Sequence, residues 1–321
     1  MTDRAPAPMH VMAGALLDAR GRVLLAQRPP GKHLAGCWEF PGGKLEPGEA
    51  PLDALARELH EELGIEADPA DAMPLIRVPW AYGARGLLLD AWRIDRWRGT
   101  PAPLDGQALR WCAPMQVDPA ELAPADRAIL QALRLPSRYL ITPAEAEPAD
   151  AGACFERLRR AIKGGERLLQ LRLPNWPVDD VRALAARLLP LARAYDAQLL
   201  LNADVEGARA LGANVGVHLK ATQFAALAER PLPWRQPVGA SCHDAAQLAQ
   251  ATRVGVDFAT LSPLAATASH PGATPLGWDR FGALAAQSAL PVYALGGVGP
   301  ADAAAVRRAG GQGVAGIRAF W

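Results

Sequence analysis

Three glutamates set the chemistry to look for. Glu58, Glu61 and Glu62 stand at i, i+3 and i+4 within the stretch GGKLEPGEAPLDALARELHEELGI, which runs from Gly42 to Ile65. On a helix that spacing puts all three carboxylates on one face. Crowded carboxylates repel one another and resist ionisation unless a cation lies between them. A hard divalent ion such as Mg²⁺ relieves the conflict, because it takes oxygen ligands and keeps other positions for water and phosphate oxygens. Mn²⁺ accepts the same donors and can substitute. For the three glutamates alone the competing explanation is a solvated acidic face, with Arg57 and Glu61 as an ordinary i, i+4 pair.

The elements that must position this face are legible around it. Pro51 suits a first helical position and Gly64 a helix end, so a helix is expected from about Pro51 to Leu63. Ahead of it, His10–Leu17 and Arg22–Gln27 read as strands joined by the turn Asp18-Ala19-Arg20-Gly21. The stretch RPPGKHLAGCWEFPGG is dense in proline and glycine and must be a loop. Its glycine end lets the backbone approach an ion closely. Beyond the helix, Leu87–Ile94 reads as a further strand and Arg127–Leu133 as a helix.

The chain has 321 residues, half of them hydrophobic, and two domains are expected, 1–136 and 137–321. A formal net charge of +1 argues against a nucleic-acid partner, which calls for a basic face. Cys37, Cys112, Cys154 and Cys242 are scattered, without a C-x-x-C pair, which points to reduced thiols in a cytoplasmic protein. The opening MTDRAPAPMH has no apolar signal region, and no uncharged run reaches the length of a membrane span. A homo-oligomer is compatible with all of this.

The whole spacing around the glutamates resembles the Nudix box, G-x5-E-x7-R-E-U-x-E-E-x-G-U with U aliphatic. Gly43, Glu49, Arg57, Glu58, Leu59, Glu61, Glu62, Gly64 and Ile65 fill every fixed position. Residues 1–136 resemble the MutT-type branch, which hydrolyses oxidised guanine nucleoside triphosphates to monophosphates. The matching pieces are Glu39-Phe40-Pro41-Gly42-Gly43, the turn Ile94-Asp95-Arg96-Trp97-Arg98-Gly99, and Asp105-Gly106-Gln107. The resemblance implies an α/β/α sandwich with Mg²⁺ held by the Gly42 carbonyl, Glu58, Glu61 and Glu62, and with Asp105 as a distal acid. Glu58 or Glu61 is the implied base, and Arg57 the residue that holds a glutamate in place. Arg28, His33, Glu39, Phe40, Pro41, Gly42 and Asp126 are the implied substrate contacts. Asp126 stands where that branch has an Asn that reads the guanine edge, and an ionised Asp only accepts hydrogen bonds. Taken singly, Arg28 also reads as a charged strand end, His33 as a loop residue and Asp126 as a helix N-cap. Trp38, Trp80, Trp92, Trp97 and Trp111 supply either a base-stacking wall or core.

After the link Leu135-Pro136-Ser137 the texture becomes strand and helix in alternation. Strands are expected near Tyr139–Thr142, Leu168–Arg172, Gln198–Asn202, Gly216–Leu219, Pro237–Ser241, Phe258–Leu261, Val292–Leu295 and Gly313–Gly316. Eight such steps imply a compact (β/α)8 barrel, with its active end at the strand C-termini. Gly296 and Gly297 follow the seventh strand and Gly316 ends the eighth, places that suit phosphate. This half resembles the thiamine phosphate synthase and thiazole tautomerase superfamily, through YLIT, Gln170-Leu171-Arg172, Asn202, GVHL, Ser241-Cys242-His243, Ser262-Pro263-Leu264 and Ala294–Val298. The resemblance implies a thiamine-related phosphate near Arg172, Asn202, His243, Gly296, Gly297 and Gly316, with His243 as an acid or base. The synthase acids are replaced: Asn202-Ala203 stands for Asn-Asp, and Lys220-Ala221-Thr222-Gln223 for G-Q-x-D. Leu173-Pro174 interrupts Q-L-R-x-K, and Thr267-Ala268-Ser269-His270 lacks the synthase lysine.

Three functions follow. The first is a Mg²⁺-dependent pyrophosphohydrolase of oxidised dGTP with a non-synthase barrel. The second is a pyrophosphatase of thiamine diphosphate, its precursors or damaged analogues. The third makes the barrel a binding or dimerisation module without chemistry.

Overall fold

The computed structural model describes residues 8–321, apart from residue 84, residues 268–271 and residue 273. It divides into two compact units, Met1–Arg134 and Leu135–Trp321. The division falls just before the Leu135-Pro136 link because the link's carbonyls are engaged by the second unit. Gln312 Nε2 donates to Leu135 O at 2.8 Å and the Tyr293 hydroxyl to Pro136 O at 2.6 Å.

The first unit runs β1 (Met9–Leu16), β2 (Val23–Gln27), β3 (Trp38–Glu39), α1 (Pro51–Leu63), β4 (Met73–Tyr82), β5 (Arg85–Ile94), β6 (Leu109–Cys112) and α2 (Asp126–Arg134). Its strands form two sheets, ordered β1-β5-β4 and β3-β2-β6, with β1 and β5 parallel and the other neighbours antiparallel. α1 exists because Leu55, Leu59 and Leu63 recur at helical spacing and bury against Met12, Leu16, Leu24 and Ile94. Its acidic residues are left on the other faces. The helix has the expected bounds, and Gly64 ends it at φ 68° with its N–H on His60 O.

Sequence reading passed over β3, β4 and β6. β4 carries Pro74 and Pro79 and a bulge between Pro74 and Ile76. It survives as a strand because it lies at a sheet edge, where a missing N–H does not break a ladder.

The second unit is a closed barrel of eight parallel strands: β7 (Arg138–Ile141), β8 (Leu168–Leu171), β9 (Gln198–Asn202), β10 (Val215–Leu219), β11 (Val238–Cys242), β12 (Phe258–Leu261), β13 (Val292–Leu295) and β14 (Gly313–Gly316). Around it lie α3 (Ala151–Lys163), α4 (Val178–Ala194), α5 (Val205–Leu211), α6 (Ala221–Ala225), α7 (Ala245–Val254), α8 (Gly277–Ala286) and α9 (Ala303–Arg308). Tyr139, Leu168, Leu200, Phe258 and Tyr293 fill the interior, while Leu169, Leu171, Leu199 and Leu201 face the helices. Burial on both faces makes each strand a short apolar run. No helix among the described residues is long and apolar enough to cross a membrane.

Candidate active site

The loop entering α1 is tied to β1. Gly14 N–H donates to Pro41 O and Met12 N–H to Gly43 O, both at 2.7 Å. Between them Gly42 has φ 143°, and a Cβ there would overlap the Met12 carbonyl, so only glycine fits. Gly42 N–H donates to Glu62 Oε2 at 3.2 Å, and Glu58 folds over Gly43 into space that any Cβ would take. The elbow and the acidic face are therefore one unit.

Arg57 organises the remaining acids. Its Nε reaches Glu49 at 2.9 Å, and its Nη1 reaches Glu58 at 2.9 Å and Glu61 at 3.1 Å. Glu58 is 17% exposed and Glu61 56%. The i, i+4 pair with Glu61 is thus present, as one bond of a larger cluster. Burial pushes the Glu62 carboxyl up to about 7; Gly42 N–H opposes the shift, and the charges of Glu39, Glu58 and Asp105 add to it. Burial likewise raises Glu39, against the pull of Arg28.

Among the described residues no three acidic, histidine or cysteine side chains converge into a ready-made metal cage. Mg²⁺ does not require one, since it is ordinarily held by one or two carboxylates plus water and phosphate oxygens. The donor set fits: burial raises the Glu62 carboxyl and the negative charges of Glu39, Glu58 and Asp105 add to the shift, a repulsion that a divalent cation removes. Asp105 sits close enough to add to that charge, and Gln107 Nε2 ties its segment to Glu62 O at 2.9 Å.

Beside this face lies a second cluster. Arg28 bonds the Glu39 carboxylate, and its Nε donates to His33 O at 2.7 Å, so its guanidinium braces the loop. Asp126, the first residue of α2, accepts Phe40 N–H at 2.9 Å instead of serving as a plain N-cap. Tyr82, which the sequence reading missed, meets the His33 ring edge-on at 5.1 Å and lies near Trp80 at 6.4 Å. Trp97 and Trp111 stack on each other at 6.0 Å and pack against the core.

Burial pushes the Asp126 carboxyl up to about 7, with Phe40 N–H opposing and Glu39 reinforcing. Because the folded value exceeds the unfolded one, its contribution to stability is full below about 4 and is lost as pH rises through about 7. Asp126→Asn keeps an acceptor for Phe40 N–H and removes the titration. It is expected to raise the unfolding midpoint more at pH 8 than at pH 5 in paired urea titrations; equal shifts at both would contradict the assignment.

In the barrel, a cavity of about 560 Å³ opens at the strand C-termini, and its lining includes His243, Pro263, Gly296, Gly297, Gly316 and Ile317. The structure thus gathers His243 and the three glycines in one wall. Arg172 and Asn202 do not line it. Arg172 N–H donates to Thr142 Oγ1 at 2.7 Å, and Asn202 Oδ1 accepts from Gln170 Nε2 at 2.9 Å. Gly297 and Gly316 also pack against Ala265 and Phe320, so they serve close packing as well as exposed backbone.

Two family models match the chain: the NUDIX domain over residues 12–132 and thiamine monophosphate synthase over residues 138–320. A CTP pyrophosphohydrolase of Escherichia coli is 41% identical over 124 residues, 39% of this chain and 90% of the relative. An 8-oxo-dGTP diphosphatase of Proteus vulgaris is 41% identical over 90 residues, 28% of this chain and 79% of the relative. A thiamine-phosphate synthase of Laribacter hongkongensis is 37% identical over 162 residues, 50% of this chain and 76% of the relative. The chain belongs to the Nudix family in its first domain and to the thiamine monophosphate synthase family in its second. Nudix hydrolases are pyrophosphohydrolases that act on phosphoric anhydride bonds.

The synthase-family barrel does not fit a magnesium pyrophosphate. Gln223 Nε2 donates to Ala203 O at 2.9 Å, and Lys220 N–H donates to Gln223 Oε1 at 3.0 Å, so a neutral amide bridge joins the two positions where acids were expected. The altered loop from Ala268 to His270 lies outside the described residues. Below the mouth runs a polar ladder whose pattern was not evident from sequence. The Tyr139 hydroxyl bonds Gln170 Oε1 at 3.2 Å and His218 Nδ1 at 3.0 Å, and His218 Nε2 bonds Ser241 Oγ at 2.9 Å. Burial pushes His218 down to about 3, so its imidazole is neutral at physiological pH. With the Tyr139 proton on Gln170, Nδ1–H donates to Tyr139 and Nε2 accepts from Ser241.

Proposed function

We propose that the Nudix domain hydrolyses nucleoside triphosphates to the monophosphate and pyrophosphate, with oxidised dGTP (8-oxo-dGTP) as the leading substrate, a cytoplasmic nucleotide-pool sanitation role. The observation that carries this reading is the acidic face of α1, bound to the Gly42-Gly43 elbow beside the cluster of Arg28, His33, Phe40 and Asp126. Mg²⁺, or Mn²⁺ in its place, would be held by the Gly42 carbonyl, Glu58, Glu61 and Glu62 with Asp105 nearby, and supplies charge neutralisation for the triphosphate and a lowered pKa for water. Arg57 keeps Glu58 and Glu61 from swinging away. One of those two carboxylates takes the proton of the attacking water. Attack of water on the second phosphorus breaks its bond to the oxygen shared with the first, so the nucleoside monophosphate leaves with that oxygen and pyrophosphate carries the oxygen of the water.

CTP is the second reading, supported by the 41% identity to a CTP pyrophosphohydrolase and by Asp126, whose carboxyl oxygens can accept from an exocyclic amine. The barrel is proposed to bind a thiamine-related phosphate without making one. The deciding assay presents the full chain with 8-oxo-dGTP, dGTP, CTP and thiamine diphosphate. The expected kcat/KM for a nucleoside triphosphate exceeds that for thiamine diphosphate at least about tenfold. The reverse preference would overturn the proposal in favour of a thiamine pyrophosphatase. Formation of thiamine phosphate from its two precursors would overturn the reading of the barrel.

A further inference from the structure

The last carbonyls of α1 have no partner within the helix, and a segment distant in the chain supplies it. Leu63 O accepts Ala102 N–H at 3.0 Å, and Glu62 O accepts both Leu104 N–H at 3.1 Å and the Gln107 side-chain Nε2 at 2.9 Å. The other end of the same amide, Gln107 Oε1, accepts Asp105 N–H at 2.9 Å. Gly106, with φ 72°, lets the side chain fold back, and its N–H closes a turn on Pro103 O at 3.2 Å. Gln107 is 7% exposed, whereas Leu104, Asp105, Gly106 and Ala108 around it are exposed. A buried amide is unfavourable unless its bonds are made, and both ends of this one are bonded. They join the backbones of two acids whose charges meet, since Asp105 is among the groups that raise Glu62.

We propose that Gln107 is a positioning residue for the divalent cation, fixing Asp105 beside Glu62 so that both acids serve one ion. The inference rests on the metal-dependent hydrolase reading above. Ala102 and Leu104 tie the segment to the helix ahead of the turn, whereas Gln107 spans the turn and holds the Asp105 N–H itself. A side chain that orients a metal ligand without touching the metal contributes to affinity through that ligand. Without the Gln107 amide, the two backbone bonds keep the segment attached and the helix end satisfied. Asp105 is then free to turn away, and the ion loses its distal carboxylate.

The test uses the full chain as wild type, Gln107→Met, Asp105→Asn and the double variant. Uptake of Mn²⁺ is followed through the spin resonance of the free ion, and kcat at saturating metal is measured beside it with whichever of CTP and 8-oxo-dGTP the wild type turns over faster. Methionine matches the length of glutamine and fills the same space without either bond. The Mn²⁺ dissociation constant of Gln107→Met is expected to rise about tenfold, with kcat at saturating metal within about threefold. Asp105→Asn should give a rise of similar size. Adding Gln107→Met to it should change the constant by less than about twofold, because the two act through one carboxylate. Gln107→Asn, which keeps an amide too short to reach both partners, runs through the same cycle if the methionine variant does not fold, and should give a smaller rise. A rise just as large in the Asp105→Asn background, or no rise at all, would overturn the role of Gln107 and leave the hydrolase reading standing. A wild type that takes up no Mn²⁺ and turns over without metal would overturn both.

Discussion

Replacing Glu58 with glutamine is expected to lower kcat about a thousandfold, within the range for loss of a positioned proton acceptor. The substitution is nearly isosteric. An amide oxygen still accepts from Arg57 Nη1, now at 2.9 Å from the carboxylate, and still fits over Gly43. What disappears is a negative charge where ion and proton are handled. The unfolding temperature should therefore stay close to that of the wild type. Glu49→Gln is the informative contrast: Glu49 bonds the same Arg57 and the Glu46 N–H, whereas Glu58 lies over Gly43, so a loss of only about tenfold is expected. Steady-state kinetics at saturating Mg²⁺ compares the two, and equal losses would show that Glu58 acts only through Arg57.

Gly43→Ala is expected to cost about a hundredfold in kcat, the scale on which a small misplacement of a reacting group is felt. The backbone at Gly43 is not in the left-handed region, so alanine brings no conformational strain. Its methyl would occupy the place of the Glu58 carboxylate, which must rotate away from the elbow. The contrast is Gly42→Ala, where a positive φ and the Met12 carbonyl make the change a stability defect. Geometry and stability thus separate at adjacent residues. Because Gly43→Ala acts by moving Glu58, adding it to Glu58→Gln should lower kcat little further. Full multiplication of the two effects would mean the glycine serves something other than that carboxylate.

The parts that were legible in the sequence share a physical cause. α1 could be bounded to the residue because Pro51 at its start and Gly64 at its end each act locally. The barrel strands were found within a residue or two because parallel strands buried on both faces read as isolated apolar runs. β4 was not found, since two prolines and a bulge erase its period, and Tyr82 was lost with it. Arg28 could be named from sequence, but not that its guanidinium would brace Glu39 and the His33 carbonyl. Asp126 was named as a base reader; that its carboxylate sits on Phe40 N–H follows from the approach of residues distant in the chain, which no local pattern encodes.

The most direct measurement is turnover of CTP and 8-oxo-dGTP by metal-stripped full chain as Mg²⁺ is returned, with ion uptake followed in parallel. Activity is expected to be absent after chelation and to return along the uptake curve, with Mn²⁺ substituting for Mg²⁺ and with both signals lost in Glu58→Gln. Unchanged hydrolysis in the presence of chelator, or unchanged ion uptake by the variant, would contradict the assignment of the α1 carboxylates to a divalent cation.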